Sequence, residues 1–152
     1  MNETTISGVT VPLELTPSEY EGYVAQVIQQ FDEFANATIH RNKRFPGARQ
    51  PGDYEIDIAV EYSIAKSLRF LVIIECKHWQ RPVDRPVVQK LAQTRDAISA
   101  HKAAIVSPMG FTGEAVEVAR TLGIALWILS EAAQIVLVER RVLAAATEGA
   151  RS

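Results

Sequence analysis

The feature that most constrains the fold is a continuous aliphatic run that ends in charged residues. Leu71 to Ile74 are all aliphatic, and Glu75-Cys76-Lys77 follows directly. A run without alternation of apolar and polar residues is typical of a strand that is covered on both faces. We therefore expect a central strand here, with its charged end at one border of the sheet.

The segment before this run is predicted to be a neighbouring strand. Between Tyr54 and Tyr62 the residues alternate in character, with Ile56, Ile58 and Val60 interleaved with Asp57, Ala59 and Glu61. Successive side chains of a strand point to opposite faces, so we expect Asp57 to face away from its aliphatic neighbours. The polar segment from Ser63 to Ser67 suits a hairpin connection between the two strands.

Helices and strands alternate over the rest of the chain. Thr16-Pro17-Ser18-Glu19 has the pattern of a capping box and predicts a helix from about 17 to 34, with Glu21 at the edge of its apolar stripe. Further predicted elements are a strand over 36–45, a helix from about 86 to 100, a strand over 103–107, a helix that Thr112 caps and Gly123 ends, and a strand over 124–129. Residues 131–148 are predicted to end in a helix, with a strand over 134–138 as the alternative.

This order of elements predicts an α/β fold. We expect a central mixed sheet of four to five strands, with the first helix on one face and the later helices flanking it. A chain of 152 residues has the length of one ordinary domain. We therefore expect an N-terminal extension over 1–15 and a single domain over 16–152.

Composition excludes several classes of protein. A single cysteine, Cys76, excludes an internal disulfide and a cysteine-built zinc cluster. No apolar run approaches the roughly 20 residues of a membrane-spanning helix, and the first residues lack the features of a signal peptide. A net charge of -2 argues against coating nucleic acid by bulk charge, although a local basic patch can still contact phosphates. We expect a cytoplasmic protein that does not enter a membrane.

Three residues form a candidate active site at the end of the aliphatic strand. Glu75 and Lys77 are two apart, so their side chains share one face, and Asp57 lies close to Glu75 if the two strands pair as a hairpin. Two neighbouring carboxylates repel each other unless a cation lies between them, and their hard oxygens suit Mg²⁺, with Mn²⁺ as a substitute. Such an ion would neutralise charge on a phosphate and activate water, while Lys77 would orient that water or stabilise the transition state. We expect no organic cofactor.

A structural explanation of the same residues stays open. A glutamate and a lysine two apart at a strand end also occur by chance, as a solvated ion pair of small energetic value. The alternative function is then a non-catalytic nucleic-acid-binding or assembly module.

The two strands together resemble a known nuclease signature. Gly52 to Ile58 and Val72 to Trp79 are similar to the PD-(D/E)XK motif, in particular to that of the Mrr-like restriction endonuclease family. Ala103 to Thr112, followed by Gly123-Ile124, resembles the strand, loop and helix that come after the catalytic strands. The resemblance spans about residues 16–131 and includes Tyr20-Glu21 in the first helix.

The resemblance implies roles for individual residues. It implies a restriction-endonuclease-like core in which Asp57 and Glu75 are metal ligands, Lys77 is the catalytic lysine and Glu21 is an accessory acid. Glu75 stands where Mrr-like members often carry glutamine, whereas glutamate is the commoner residue in the wider superfamily.

Basic residues near these strands are candidates for binding nucleic acid. They are Arg41, Lys43, Arg44, Arg49, His78 and Arg81. Solvated surface charge explains them about equally well. Gln89 and Gln93, one helical turn apart, are candidates for lining the cleft, although an exposed helix face explains them equally well.

The sequence thus predicts a magnesium-dependent endonuclease that hydrolyses phosphodiester bonds of DNA. We expect a homodimer, because one catalytic domain of this size cuts one strand at a time. Branched DNA, as for junction resolvases, and RNA are alternative substrates of the same fold.

Overall fold

The structure, a computed structural model, describes residues 2–5, 14–130 and 134–138. Its elements in chain order are β1 (Asn2–Thr5), α1 (Pro17–Gln29), a 3-10 helix (Asp32–Phe34), β2 (Thr38–Pro46), β3 (Asp53–Ile64), β4 (Leu68–Cys76), α2 (Arg85–Ala97), β5 (Lys102–Ser107), α3 (Gly113–Leu122), β6 (Ile124–Leu129) and β7 (Gln134–Val138). No helix among these residues is long and apolar enough to cross a membrane.

The strands form one mixed sheet, as the α/β prediction requires. Within the described ranges it has seven strands in the order β1-β7-β6-β5-β4-β3-β2. β4, β5 and β6 run parallel, and the other neighbours pair antiparallel. The aliphatic strand β4 is therefore central, with β3 on one side and β5 on the other.

The predicted strand count of four to five is too low. β7 forms over 134–138, the range for which the sequence leaves strand and helix open. β1 pairs antiparallel with β7, although the sequence around β1 shows no periodic pattern of apolar residues. Pairing with a neighbour, which no local pattern reports, thus decides both strands. The helix predicted toward residue 148 lies outside the described residues.

Helices cover both faces of the sheet. One hydrophobic core lies between α1 and the first face, where Val24, Val27 and Ile28 pack against Ile58 and Ile74. The second core lies between the opposite face and the pair α2 and α3, and it contains Ile73, Val88, Leu91, Ile105 and Ala115. The sheet is therefore buried on both faces, which explains the unbroken aliphatic run of β4.

Helix α1 begins as predicted but ends earlier. Thr16 accepts from the amide of Glu19 at 3.2 Å, and the Glu19 carboxylate accepts from the amide of Thr16 at 3.0 Å, which completes the capping box. The helix ends at Gln29 instead of near residue 34, because Phe31 is extended with a ψ of 129°. The turn lets Phe31 pack edge-on against Trp127, with ring centres 6.1 Å apart.

The alternation of faces along β3 breaks at Asp57. Ile58 packs in the core under α1, whereas Ile56 packs in the core under α2 and α3, although residues two apart on a regular strand share a face. The prediction of one common face for Ile56, Ile58 and Val60 is therefore wrong. Asn42, which lies between the β2 partners of Ile56 and Ile58, has a positive φ of 52°, so β2 is irregular at the same level.

A buried tyrosine ties α1 to the sheet. The hydroxyl of Tyr20 donates to the carbonyl of Leu129 at 2.8 Å, and the ring is 2% exposed. Burial raises the pKa of this hydroxyl well above its usual value, so it stays a donor. Glu21 is the next residue, and its placement depends on this anchor.

We predict that Tyr20→Phe lowers the free energy of unfolding by about 1–2 kcal/mol, because the Leu129 carbonyl loses its donor inside the protein. Urea unfolding followed by circular dichroism measures the change. Tyr62→Phe is the matched control, since the Tyr62 hydroxyl makes no hydrogen bond to any other described residue. Equal losses in the two variants would show that the Tyr20 hydrogen bond carries no stability.

Candidate active site

The candidate site forms where β4 separates from β3. The last paired residues of the two strands are Ile58 and Ile74. Beyond them the amide of Cys76 donates to Oδ2 of Asp57 at 2.9 Å, so a side chain takes the place of the missing strand partner. The amide of Lys77 donates to the carbonyl of Val106 at 2.8 Å, which shows that β4 continues along β5. The separation opens a gap between the strand ends and fixes Asp57 at its base.

Glu75 and Lys77 lie on the same side of β4, as strand geometry predicts. The Nζ atom of Lys77 is 3.4 Å from Oε1 of Glu75, and the side chains are 29% and 30% exposed, respectively. Both line a cleft of about 280 Å³ between the sheet and α2. The described residues that line it are Asp53, Tyr54, Glu55, Glu75, Lys77, Val87, Lys90, Leu91 and Thr94. An acid and an amine are thus held side by side at an accessible surface.

Asp57 and Glu75 are close enough to influence each other. Burial raises the pKa of the Glu75 carboxyl, and the negative charge of Asp57 raises it further, while Lys77 acts in the opposite direction. Hairpin pairing therefore brings the two acids together, as the sequence predicts. The single lysine does not offset the combined cost of burial and repulsion at Glu75.

Glu21 approaches the same aspartate from α1. Its side chain is 16% exposed, and burial followed by the charge of Asp57 raises the pKa of its carboxyl. Arg41 lies 3.5 Å from Oε2 of Glu21 and lowers that pKa. Glu21 and Glu75 thus meet Asp57 from two different elements, and Asp57 is the centre of the acidic cluster.

The donor set fits a hard divalent cation. Carboxylates whose pKa values are raised by neighbouring carboxylates gain most from a positive ion, and carboxylate oxygens are the ligands that Mg²⁺ and Mn²⁺ prefer. No group of three or more His, Cys, Asp and Glu side chains in the described part of the chain is placed so that it could hold a metal ion together, so the candidate ligands are the two carboxylates of Asp57 and Glu75. The arrangement agrees with Mg²⁺, which is usually bound through one or two carboxylates.

The sequence matches the model of a known protein family. A family model described as restriction endonuclease, Mrr_cat, matches residues 13–144 of the sequence. The chain belongs to this restriction endonuclease family. The match contains Glu21, Asp57, Glu75 and Lys77, and it supports a restriction-endonuclease-like nuclease domain.

A solved structure with a TM-score above 0.5 shares the fold. A crystal structure of AF1548, a protein of unknown function, is 19% identical with a TM-score of 0.57, covering 72% of this chain and 56% of that one. Protein VC1899 from Vibrio cholerae is 24% identical with a TM-score of 0.47, covering 70% of this chain and 27% of that one. The chain thus spans about half the length of the first neighbour and about a quarter of the second. None of the curated proteins matches the sequence.

The basic residues of β2 lie close to acidic or helical partners. Lys43 is 3.3 Å from Glu61, and Arg44 is 3.2 Å from Asp53. Arg41 contacts Glu21 and also donates to the carbonyl of Ser18 at 2.8 Å. Each of these predicted nucleic-acid-binding residues therefore has a partner within the protein, and only Arg41 lies directly beside the acidic cluster.

The other predicted nucleic-acid-binding residues lie elsewhere. His78 stacks on Tyr20 with ring centres 4.8 Å apart, which links the segment after Lys77 to α1. Arg81 is 63% exposed and stacks on Trp79. Arg49 lies in the loop between β2 and β3. This loop contacts the last residue of α2, because the amide of Arg49 donates to the carbonyl of Ala97 at 3.2 Å. The structure therefore distributes the basic candidates over several surfaces.

Helix α2 lines the cleft with residues other than the two glutamine candidates. Lys90 and Thr94 line the cleft, whereas Gln89 and Gln93 do not. Lys90 and Thr94 adjoin the apolar positions Val87 and Leu91, and this stripe faces the sheet. The helical period indicates the stripe, but the rotation of α2 against the sheet selects the residues at its border.

Removing the charge of Glu75 should stabilise the metal-free protein. The raised pKa means that ionised Glu75 is less stable in the folded than in the unfolded chain, so Glu75→Gln should raise the free energy of unfolding by roughly 1 kcal/mol at pH 8. The gain should shrink as the pH falls through the folded pKa and vanish below 4.5, the ordinary glutamate value, because Glu75 is then protonated in both states.

Chemical denaturation in EDTA at several pH values measures this effect. Glu55→Gln, which changes an exposed acid of the same cleft, should alter stability by less than about 0.5 kcal/mol. A loss of stability in Glu75→Gln at pH 8 would show that the ion pair with Lys77 outweighs the burial and repulsion.

Proposed function

We propose that this domain is a magnesium-dependent endonuclease that hydrolyses phosphodiester bonds of DNA at Asp57, Glu75 and Lys77. The observation that carries the proposal is the meeting of two acids and a lysine where β4 leaves β3, beside an open cleft. Membership of a restriction endonuclease family supports the same reaction class.

In this proposal Asp57 and Glu75 hold the divalent ion. The hydrogen bond from the Cys76 amide orients the Asp57 carboxylate, so one of its oxygens is fixed before any ion binds. The ion, Mg²⁺ or in its place Mn²⁺, supplies Lewis acidity and neutralises negative charge on the phosphate. Glu21 adds negative charge to the cluster from the side of α1 and serves as an accessory acid.

Lys77 stabilises the charge that develops on the phosphate. Its ammonium lies at the cleft surface, close to Glu75 yet 29% exposed, so it can reach a bound phosphodiester. A positive charge held at the reacting phosphate is most effective where negative charge grows in the transition state. No organic cofactor is needed for this chemistry.

We propose that DNA reaches the cleft along basic side chains. Arg81, His78 and Arg41 lie near the strand end, and Lys43, Arg44 and Arg49 lie farther along β2 and the following loop. A homodimer would cut both strands, since each site cuts one, and we assign the protein to the cytoplasm. Branched DNA and RNA are the alternative substrates, and a basic groove across a dimer would favour branched DNA.

A non-catalytic binding module is the rival from another class. A structural ion pair would need only Glu75 and Lys77, whereas here Asp57 and Glu21 add charges that raise the pKa values of neighbouring acids. Such an arrangement lowers stability and is typical of functional sites. We therefore favour the catalytic function.

The cleavage test uses purified protein with Mg²⁺ and linear, supercoiled, methylated and four-way-junction DNA, together with RNA. We expect cleavage of DNA by the wild type and a loss of at least about a hundredfold in Lys77→Ala, since a transition-state charge is removed. Lys66→Ala, at the opposite end of β3 and β4, is the control and should cleave as the wild type does.

Equal activity of the wild type and Lys77→Ala would contradict the assigned site. Cleavage of RNA or of junctions alone would keep the site and change the substrate. Absence of cleavage and of Mg²⁺ binding, with Asp57→Ala indistinguishable from the wild type, would favour the binding module.

A further inference from the structure

A row of alternating side chains continues past the end of β4. The Nζ atom of Lys77 lies 5.7 Å from the centre of the Trp79 ring, and the guanidinium carbon of Arg81 lies 4.1 Å from the same centre. Both distances are within the range of attraction between a cation and an aromatic face. Trp79 is therefore shared between the lysine of the candidate site and an exposed arginine.

Contacts with the core and with neighbouring loop residues hold the ring of Trp79 in place. It packs against the core under α2 and α3, and Arg81, which stacks on it, lies 3.4 Å from Asp84 at the start of α2. Val83 fixes the same segment, because its amide donates to the carbonyl of Gly110 at 2.9 Å and its carbonyl accepts from Thr112 at 3.0 Å. The indole therefore has a fixed position next to a flexible lysine side chain.

Lys77 needs a partner other than Glu75. Its 3.4 Å separation from the Glu75 carboxylate is long for a charge-assisted hydrogen bond. If Glu75 shares its negative charge with a divalent ion, its attraction for the ammonium falls. An aromatic face attracts the ammonium without carrying a net charge, so it does not compete for the ion and leaves the N–H groups able to donate to a phosphate.

We propose that Trp79 is a positioning residue, which holds the ammonium of Lys77 over the cleft through its ring face. This inference rests on the proposed nuclease function of the same site. Trp79 is not among the described residues that line the cleft, whereas Lys77, which its ring face approaches, is one of them, so its effect passes through Lys77. The attraction between the side chain at position 79 and the ammonium of Lys77 decreases in the order tryptophan, phenylalanine, leucine.

The kinetic test compares Trp79→Phe and Trp79→Leu with the wild type. We expect Trp79→Leu to lower kcat about tenfold, with Trp79→Phe between it and the wild type, and KM within about threefold. DNA affinity measured with Ca²⁺ in place of Mg²⁺ should stay within the same limit. A fall in DNA affinity that accounts for the whole loss of cleavage would overturn the proposal, because Trp79 would then bind DNA directly.

A fluorescence test examines the contact without any need for activity. In a Trp127→Phe background only Trp79 emits, and Lys77→Met should shift its emission because the neighbouring charge disappears. Lys90→Met, which removes a lysine elsewhere in the cleft, is the matched control and should cause no shift. No shift in Lys77→Met would overturn the proposal, whereas a shift in a protein that does not cleave DNA would leave the contact standing and reject the nuclease function.

Discussion

The divergence of β4 from β3 determines both the shape and the chemistry of this domain. Where the two strands stop pairing, the amide of Cys76 needs a new acceptor, and the carboxylate of Asp57 provides it at 2.9 Å. A buried amide without an acceptor would be costly, so this hydrogen bond holds the aspartate at the strand end. The same divergence leaves Glu75 and Lys77 at the mouth of a cleft, between a sheet and a helix that do not close over them.

The cluster that results is unfavourable for folding alone. Glu21 and Glu75 are mostly buried beside Asp57. Burial and the negative charge of Asp57 raise the pKa of both carboxyls. Lys77 and Arg41 offset part of the repulsion but are placed at the border of the cluster. Folds tolerate such local cost where a function requires it, and a divalent ion would relieve it. Stability is supplied elsewhere, by the two cores on either face of the sheet and by the anchor from Tyr20 to Leu129.

Local signals predict much of this fold, and tertiary contacts decide the rest. Thr16 and Glu19 mark the start of α1, and Gly123, with a φ of 72°, ends α3 at the predicted place. A regular alternation places Ile56 on the same face as Ile58, and the local pattern does not reveal that the alternation breaks at Asp57. The place of Lys90 in the cleft and the contact of Trp79 with Lys77 depend on how α2 and the segment after β4 pack, which no local pattern reports. The pair of Glu75 and Lys77 was predictable because strand geometry alone fixes it.

Direct titration with Mn²⁺ measures whether Asp57 and Glu75 together hold a divalent ion. Electron paramagnetic resonance of free Mn²⁺ measures binding without requiring DNA or turnover. We expect binding by the wild type, a loss of affinity of at least about tenfold in Asp57→Asn and in Glu75→Gln, and unchanged affinity in Glu55→Gln. Binding of equal strength in all of these proteins, or no binding by the wild type, would show that Asp57 and Glu75 do not hold a divalent ion.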